Sequence, residues 1–307
     1  MRENFGIYHP VVNLIFFAAV ILMSVLIMNP VFLGVSLICA CLYAVYLKGR
    51  QVVKFGLAMV LPLPALSAII NPFVNPRGAT VLFQWPLEWG PATLEAVIYG
   101  FTTGLMISSV IMWFVSFNII ITSDKLTFLF GRIFPGSSLI FVMILRFIPR
   151  YRDQIKKIAE AQQSIGMGVN KGKLMTKLKN GIRILSIMFT WALENAIQTA
   201  DSMKARGYGM KNRTSYQSYK LTFSDKTVLG FMILLTVGVC CAWASGFMGA
   251  EFFPFFELNF AKETHMALLV FLSGCFCFAL LALIPVILGL KETLYWNRKE
   301  KEEGGIN

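Results

Sequence analysis

The sequence predicts an all-α integral membrane protein, with about six transmembrane helices plus a cytoplasmic domain of long amphipathic helices. Three observations predict it. The 307 residues are 56% hydrophobic and only 14% charged, whereas soluble domains carry about 25% charged residues. Mean hydropathy is +0.66. Six stretches free of Asp, Glu, Lys and Arg come close to, or exceed, the roughly 20 apolar residues that a spanning helix needs. The formal net charge is nevertheless +12, from 28 Lys+Arg against 16 Asp+Glu. A greasy but basic chain reads as a membrane protein with cationic loops rather than as a nucleic-acid binder.

The first two stretches, 11–28 and 31–47, are separated by Asn29-Pro30 and form a tight hairpin. The first does not read as a cleavable signal peptide, because its apolar core is long and no small-residue cleavage site follows. The third, 55–76, contains Pro62 and Pro64. These prolines kink it and free carbonyls that neighbouring helices or water must satisfy. The remaining spans are 96–123, 227–250 and 264–290. The chain therefore divides into a membrane region 1–123, a cytoplasmic region 124–226, a second membrane region 227–290 and a cytoplasmic tail 291–307.

Cation placement sets the orientation. With the N-terminus inside, 26 of the 28 Lys and Arg residues fall on the inner side, and only Arg77 and Lys262 fall outside. Lys48, Arg50 and Lys54, in a short loop, point the same way as the larger 124–226 segment. Both termini and residues 124–226 are then cytoplasmic.

The 124–226 region holds one short apolar stretch, 133–145, which Pro135-Gly136 breaks near its start. Residues 146–220 carry 15 Lys+Arg and 4 acids. Two amphipathic helices stand out there. The first spans about 150–164, with a stripe of Tyr151, Ile155, Ile158 and Ile165 and a stop at Gly166. The second spans about 182–206, with a stripe of Leu185, Met188/Phe189, Ala192, Ala196, Thr199/Ala200 and Met203. Arg206 occupies its last turn, and Gly207 follows where glycine can take positive φ. Residues 167–179 between them read as a basic loop, whose Lys171, Lys173, Lys177 and Lys179 suit anionic membrane lipid. Aromatic residues do not interleave with these cations as they do in single-strand binders, so no nucleic-acid partner is expected.

Catalytic signatures are missing. Gly172-Lys173 is followed by Leu174, and Met167 stands where a Walker A loop needs its upstream glycine. Lys171 replaces the third glycine of a dinucleotide fingerprint starting at Gly166. No HExxH or GxSxG occurs. The six cysteines, Cys39/Cys41, Cys240/Cys241 and Cys275/Cys277, lie in apolar stretches at spacings that suit neither disulfides nor zinc. His9 and His265 sit at segment ends and read as interfacial. No catalytic residue, metal site or directly bound cofactor is expected. The spans hold no ionisable residue except at their ends, whereas coupled carriers place such groups at mid-membrane. The classes left are a membrane scaffold, a self-contained carrier or channel, and, last, a membrane-bound enzyme.

Arg146, Phe147, Ile148 and Pro149, then Ala161, Gln162 and Gly166, then Ala205, Arg206, Gly207 and Tyr208 carry a family likeness. In these residues and in its whole architecture, the chain resembles the T component of energy-coupling factor transporters. This is the EcfT/CbiQ-type transmembrane scaffold of bacterial and archaeal uptake systems for vitamins and metal ions. The resemblance implies a non-catalytic subunit of the cell membrane. It implies three partners: two cytoplasmic ABC ATPases, which use the ATP, and a small substrate-binding membrane protein, the S component. In the family each of two coupling helices ends in an Ala-Arg-Gly-like triplet that docks in an ATPase groove. The second triplet corresponds to Ala205, Arg206 and Gly207, where the planar guanidinium suits carboxylates. The first corresponds to Ser164, Ile165 and Gly166, with Ile165 in place of the family arginine. Either this tip docks by apolar packing with charge from Lys171 or Lys173, or the chain pairs asymmetrically with two different ATPases. The alternative to docking is that Arg206 is simply a favourable charge on the helix dipole, worth about 0.3–1 kcal/mol.

Overall fold

The computed structural model describes residues 4–60, 62–84, 91–133, 135–169, 173–207, 221–259 and 265–303. Arg2, Lys171, Tyr208 and Lys262 of the sequence reading lie outside the described residues. The chain is predominantly helical and forms two compact units, residues 1–122 with 219–307, and residues 123–218.

In the first unit, α1 (Pro10–Leu26) and α2 (Pro30–Lys48) form the hairpin read from Asn29-Pro30. Both begin with proline, whose missing N–H costs nothing in the first turn. Asn29 caps α2 by accepting from the Val31 and Phe32 amides at 3.0 and 3.5 Å, and His9 Nδ1 accepts from Val11 N at 3.2 Å to cap α1. His9 is buried in this capping role.

The third span is broken, as its prolines require. It runs as α3 (Arg50–Phe55), a π-helical turn (Gly56–Val60) and α4 (Pro62–Val74). Pro64 cannot donate to the carbonyl four residues back, which is that of Val60. That carbonyl accepts instead from Ser108 Oγ at 3.0 Å. Ser108 lies on α5 (Leu94–Ile120), whose glycines admit the close approach of α4. A Cβ on Gly100 would sit 2.5 Å from the Ser67 carbonyl, and one on Gly104 would overlap the Pro64 backbone.

The core of this unit is aromatic. Trp113 of α5 packs on Phe16 of α1 (5.9 Å between ring centroids) and on Tyr43 of α2 (6.3 Å). Ser36 Oγ joins the same three helices: it accepts from Trp113 Nε1 at 3.2 Å and lies 2.7 Å from the hydroxyls of both Ser24 and Ser109. The buried hydroxyls of Ser24, Ser36 and Ser109 and the Trp113 indole N–H thereby pair with one another. Further helices, α9 (Phe223–Ala244) and α10 (His265–Glu303), pack on these, with the Phe278 ring tilted against that of Phe32, 4.5 Å between centroids. Helix α10 continues without interruption beyond residue 290, so much of the sequence-predicted tail is helix.

Among the described residues, four helices are long and apolar enough to cross a membrane: α2, α5, α9 and the His265–Tyr295 part of α10. The apolar α1 and α4 are shorter, at 17 and 13 residues. Two short antiparallel pairs, β1 (Val81–Gln84) with β2 (Pro91–Thr93) and β3 (Ala250–Glu251) with β4 (Glu257–Leu258), belong to loops gathered at one end. There Ala79 N donates to the Pro254 carbonyl at 3.1 Å, and Tyr99 packs on Phe252. The buried Glu95 ties the same loop down by accepting from Thr80 Oγ1 at 2.7 Å. The starts of α1 and α9 meet through Asp225, which closes a capping box with Thr222 and accepts from His9 N at 3.2 Å.

Candidate functional site: the ends of two long helices

The second unit contains α6 (Ser123–Ile133), α7 (Pro135–Ser164) and α8 (Leu174–Ala205). The sequence-predicted break at Pro135 is the boundary between α6 and α7, since proline is well placed as a first helical residue. Helix α7 then runs 30 residues, through Pro149, so the predicted 150–164 helix is only its second half. Helix α8 starts at Leu174, which corrects the reading of 167–179 as a loop. Leu, Met and Lys are good helix formers, and charge alone was a poor reason to place a loop there.

The two helices pack antiparallel. Ile158 of α7 is buried with Ile184 and Met188 of α8, and Tyr151, Ala159 and Trp191 close the cluster. The Tyr151 ring meets Trp191 edge-on at 5.5 Å, and the Arg150 guanidinium lies 5.8 Å over the Trp191 ring. The predicted stripe of α8 is half right. Met188 faces the cluster, but Leu185 and Phe189 are exposed. Helix α8 carries two apolar faces, and one stripe drawn through both mixes them.

The predicted tips occupy equivalent positions. At the end of α7, Gly166 takes φ +79°. Its amide donates to the Gln163 carbonyl at 3.1 Å, and Met167 N donates to the Gln162 carbonyl at 2.9 Å. This pair of bonds is a Schellman motif, which needs a left-handed residue that glycine supplies without strain. At the end of α8, Gly207 takes φ +73° and donates to the Lys204 carbonyl at 3.0 Å, while Arg206 N donates to Ser202 at 3.2 Å. Ser164, Ile165 and Gly166 thus match Ala205, Arg206 and Gly207 position for position: last helical residue, cap, left-handed glycine. All but the half-buried Gly207 are exposed.

The tips differ in chemistry. Lys204 and Arg206 stand at the end of α8, where free carbonyls favour cations. The last turn of α7 has no basic residue, and Ile165, Met167 and Val169 are exposed beside it. Sequence reasoning missed how the α7 tip is held: Asn180 Nδ2, in the first turns of α8, donates to the Gly168 carbonyl at 3.1 Å. That contact sets the α7 tip beside the start of α8. The α8 tip lies at the other end, some 48 Å of helix away for 32 residues. A groove of about 410 Å³ lined by Met143, Phe147, Ala196 and Met203 borders the α8 tip.

Apolar helices long enough to cross a membrane, joined to a unit of long helices with two glycine-capped ends, define an all-α membrane protein. The chain belongs to the CbiQ family, described as cobalt transport protein, which matches residues 8–216. It is similar to two proteins named energy-coupling factor transporter transmembrane protein. The first, EcfT 1 of Listeria monocytogenes serotype 1/2a, is 27% identical over 189 residues, covering 57% of this chain and 69% of that protein. The second, EcfT of Lacticaseibacillus paracasei, is 27% identical over 214 residues, covering 64% of this chain and 78% of that protein. A shorter match, 36% identical over 99 residues, joins it to EcfT of Lactobacillus helveticus, covering 32% of this chain and 36% of that protein. The family likeness read from the sequence is borne out.

Proposed function

We propose that the chain is the membrane scaffold of an energy-coupling factor importer and transmits ATPase motion to a substrate-binding S component for uptake of a vitamin or a metal ion. Each helix tip docks one cytoplasmic ABC ATPase. The observation that carries this reading is the pair of like-capped tips, Ser164–Ile165–Gly166 and Ala205–Arg206–Gly207, at opposite ends of one antiparallel helix pair. Two exposed ends separated by tens of ångströms suit two separate grooves better than one. Arg206 fits an acidic groove through its planar fork, whereas the Ile165 tip fits an apolar one. Within the importer, the ATPases bind and hydrolyse ATP and the chain itself hydrolyses none. Residues 124–226 and both termini face the cytoplasm of a bacterial or archaeal cell, a reading that the cation distribution supports.

Affinity purification of the tagged full chain from membranes tests this reading. Wild type brings down two ABC ATPase polypeptides and a small membrane protein. Arg206→Glu, which faces like charge in a desolvated groove, loses the ATPases while its membrane abundance stays unchanged. Recovery of the chain alone from wild-type membranes, or undiminished ATPase recovery with Arg206→Glu, contradicts it.

A further inference from the structure

The strand pair that precedes α5 carries apolar surface where a loop in water would carry polar groups. Val81, Leu82 and Phe83 of β1 are 48%, 57% and 56% exposed. Ala92 and Thr93 of β2 are buried, so β1 is the outer strand of the pair. Val81 pairs with Thr93 and Phe83 with Ala92, which leaves Leu82 as the extra residue of a β-bulge. Successive residues of β2 point to opposite faces, and cross-strand partners share a face. Val81 and Phe83 therefore stand on opposite faces, and both faces of β1 are apolar and exposed. The root of the pair is held at the first turn of α5: Leu94 N donates to the Thr80 carbonyl at 3.0 Å, and Thr80 N donates to Glu95 Oε1 at 3.2 Å. The exposed apolar surface continues onto the helices, through Leu94 of α5 and Ile70 and Val74 of α4.

We infer that β1 lies in the headgroup layer of the bilayer at this end of α5, with phospholipid against both of its faces. A protein groove suits a strand with one apolar face, whereas a lipid interface surrounds both. The backbone sets the depth. Among the described residues β1 pairs only with β2, so its other edge presents N–H and C=O groups that hydrocarbon cannot satisfy. In the headgroup layer, water and ester carbonyls satisfy them while the side chains reach the acyl boundary. The sequence holds no Lys or Arg between Arg77 and Lys125, so burial of apolar side chains, and not charge attraction, attaches the strand. The sequence joining the two strands adds Trp85 and Trp89, a residue type enriched at this level of a membrane. The inference rests only on α5 crossing the bilayer and involves no residue of the helix tips, so it and the docking reading can fail separately.

The test uses the full chain with its native cysteines replaced, carrying a small bimane label on Val81→Cys or on Phe83→Cys. The protein is placed in phosphatidylcholine nanodiscs whose bromine quenchers sit either near the headgroup end of the acyl chains or near the bilayer centre. Both labels are quenched, about twofold more strongly by the shallow bromines than by the deep ones. A label on Arg77→Cys, exposed at the same end, is quenched by neither. Adding Leu82→Asp lowers quenching at position 83 by about half or more, because a carboxylate draws the strand towards water. The two labels alone test the proposal independently of that variant. Unquenched labels at both positions overturn it, as does quenching at only one, which gives the other face to water or to protein. Stronger quenching from the deep bromines overturns the depth. A label that leaves water only when a membrane-protein partner is added assigns the strand to that partner and overturns it too.

Discussion

Arg206 and Ile165 hold the same backbone position at two helix ends and carry opposite chemistry. In a desolvated acidic groove Arg206 is a hot spot, and Arg206→Ala weakens ATPase binding by on the order of 2 kcal/mol or more, about thirtyfold in Kd by titration. Ile165→Ala removes only apolar contact, about 1.5–3 kcal/mol if the side chain is fully covered in the complex. Ile165→Arg separates the alternatives that the sequence leaves open: binding to an acidic groove is retained, and binding to an apolar one is lost. Among structural residues, Ser108 holds a backbone carbonyl that Pro64 cannot pair. Ser108→Ala leaves the Val60 carbonyl unpaired, costs about 1–3 kcal/mol, and lowers the midpoint of thermal unfolding in detergent. The sequence showed that Pro64 would free a carbonyl. It did not show the donor, because Ser108 is 48 positions from Val60 and only the packing of α5 on α4 brings it near. Gly166 and Gly207 were legible as helix stops, since few other residues tolerate positive φ.

At the scale of elements, apolar stretches bounded by Pro, Asn and Gly made the spans readable. The hairpin of α1 and α2 follows from Asn29-Pro30, and the broken third span follows from Pro62 and Pro64. Two features were not readable, for a shared reason. The crowded lysines at the start of α8 read as a loop, although Lys and Leu favour helix. Its second apolar face was merged with the first, because periodicity finds apolar positions but not the neighbour each one meets. The contact of α4 with α5 makes a prediction at this scale. Gly104→Val places a branched side chain where the Pro64 backbone lies, so α4 must move away. The variant should lose at least several degrees of thermal stability in detergent, whereas Gly230→Ala, in open space on α9, should change it little.

For the whole molecule, the paired loops at one end and the His9–Asp225 junction at the starts of α1 and α9 agree with an even alternation of helices. Single cysteines at Arg77 and at Thr190 in a cysteine-free chain should therefore label from opposite sides of intact cells, Arg77 from outside. The central claim is that the two tips of the helical unit are where ATP hydrolysis in other subunits acts on this chain. Photo-crosslinking tests it most directly, with a short crosslinker on single cysteines replacing Ile165, Arg206 or, as the mid-helix control, Thr190. The account predicts adducts of the chain with one ATPase polypeptide from position 165 and from position 206, and none from position 190. Absence of ATPase adducts at both tips in a complex that hydrolyses ATP, or adducts only at position 190, would contradict it.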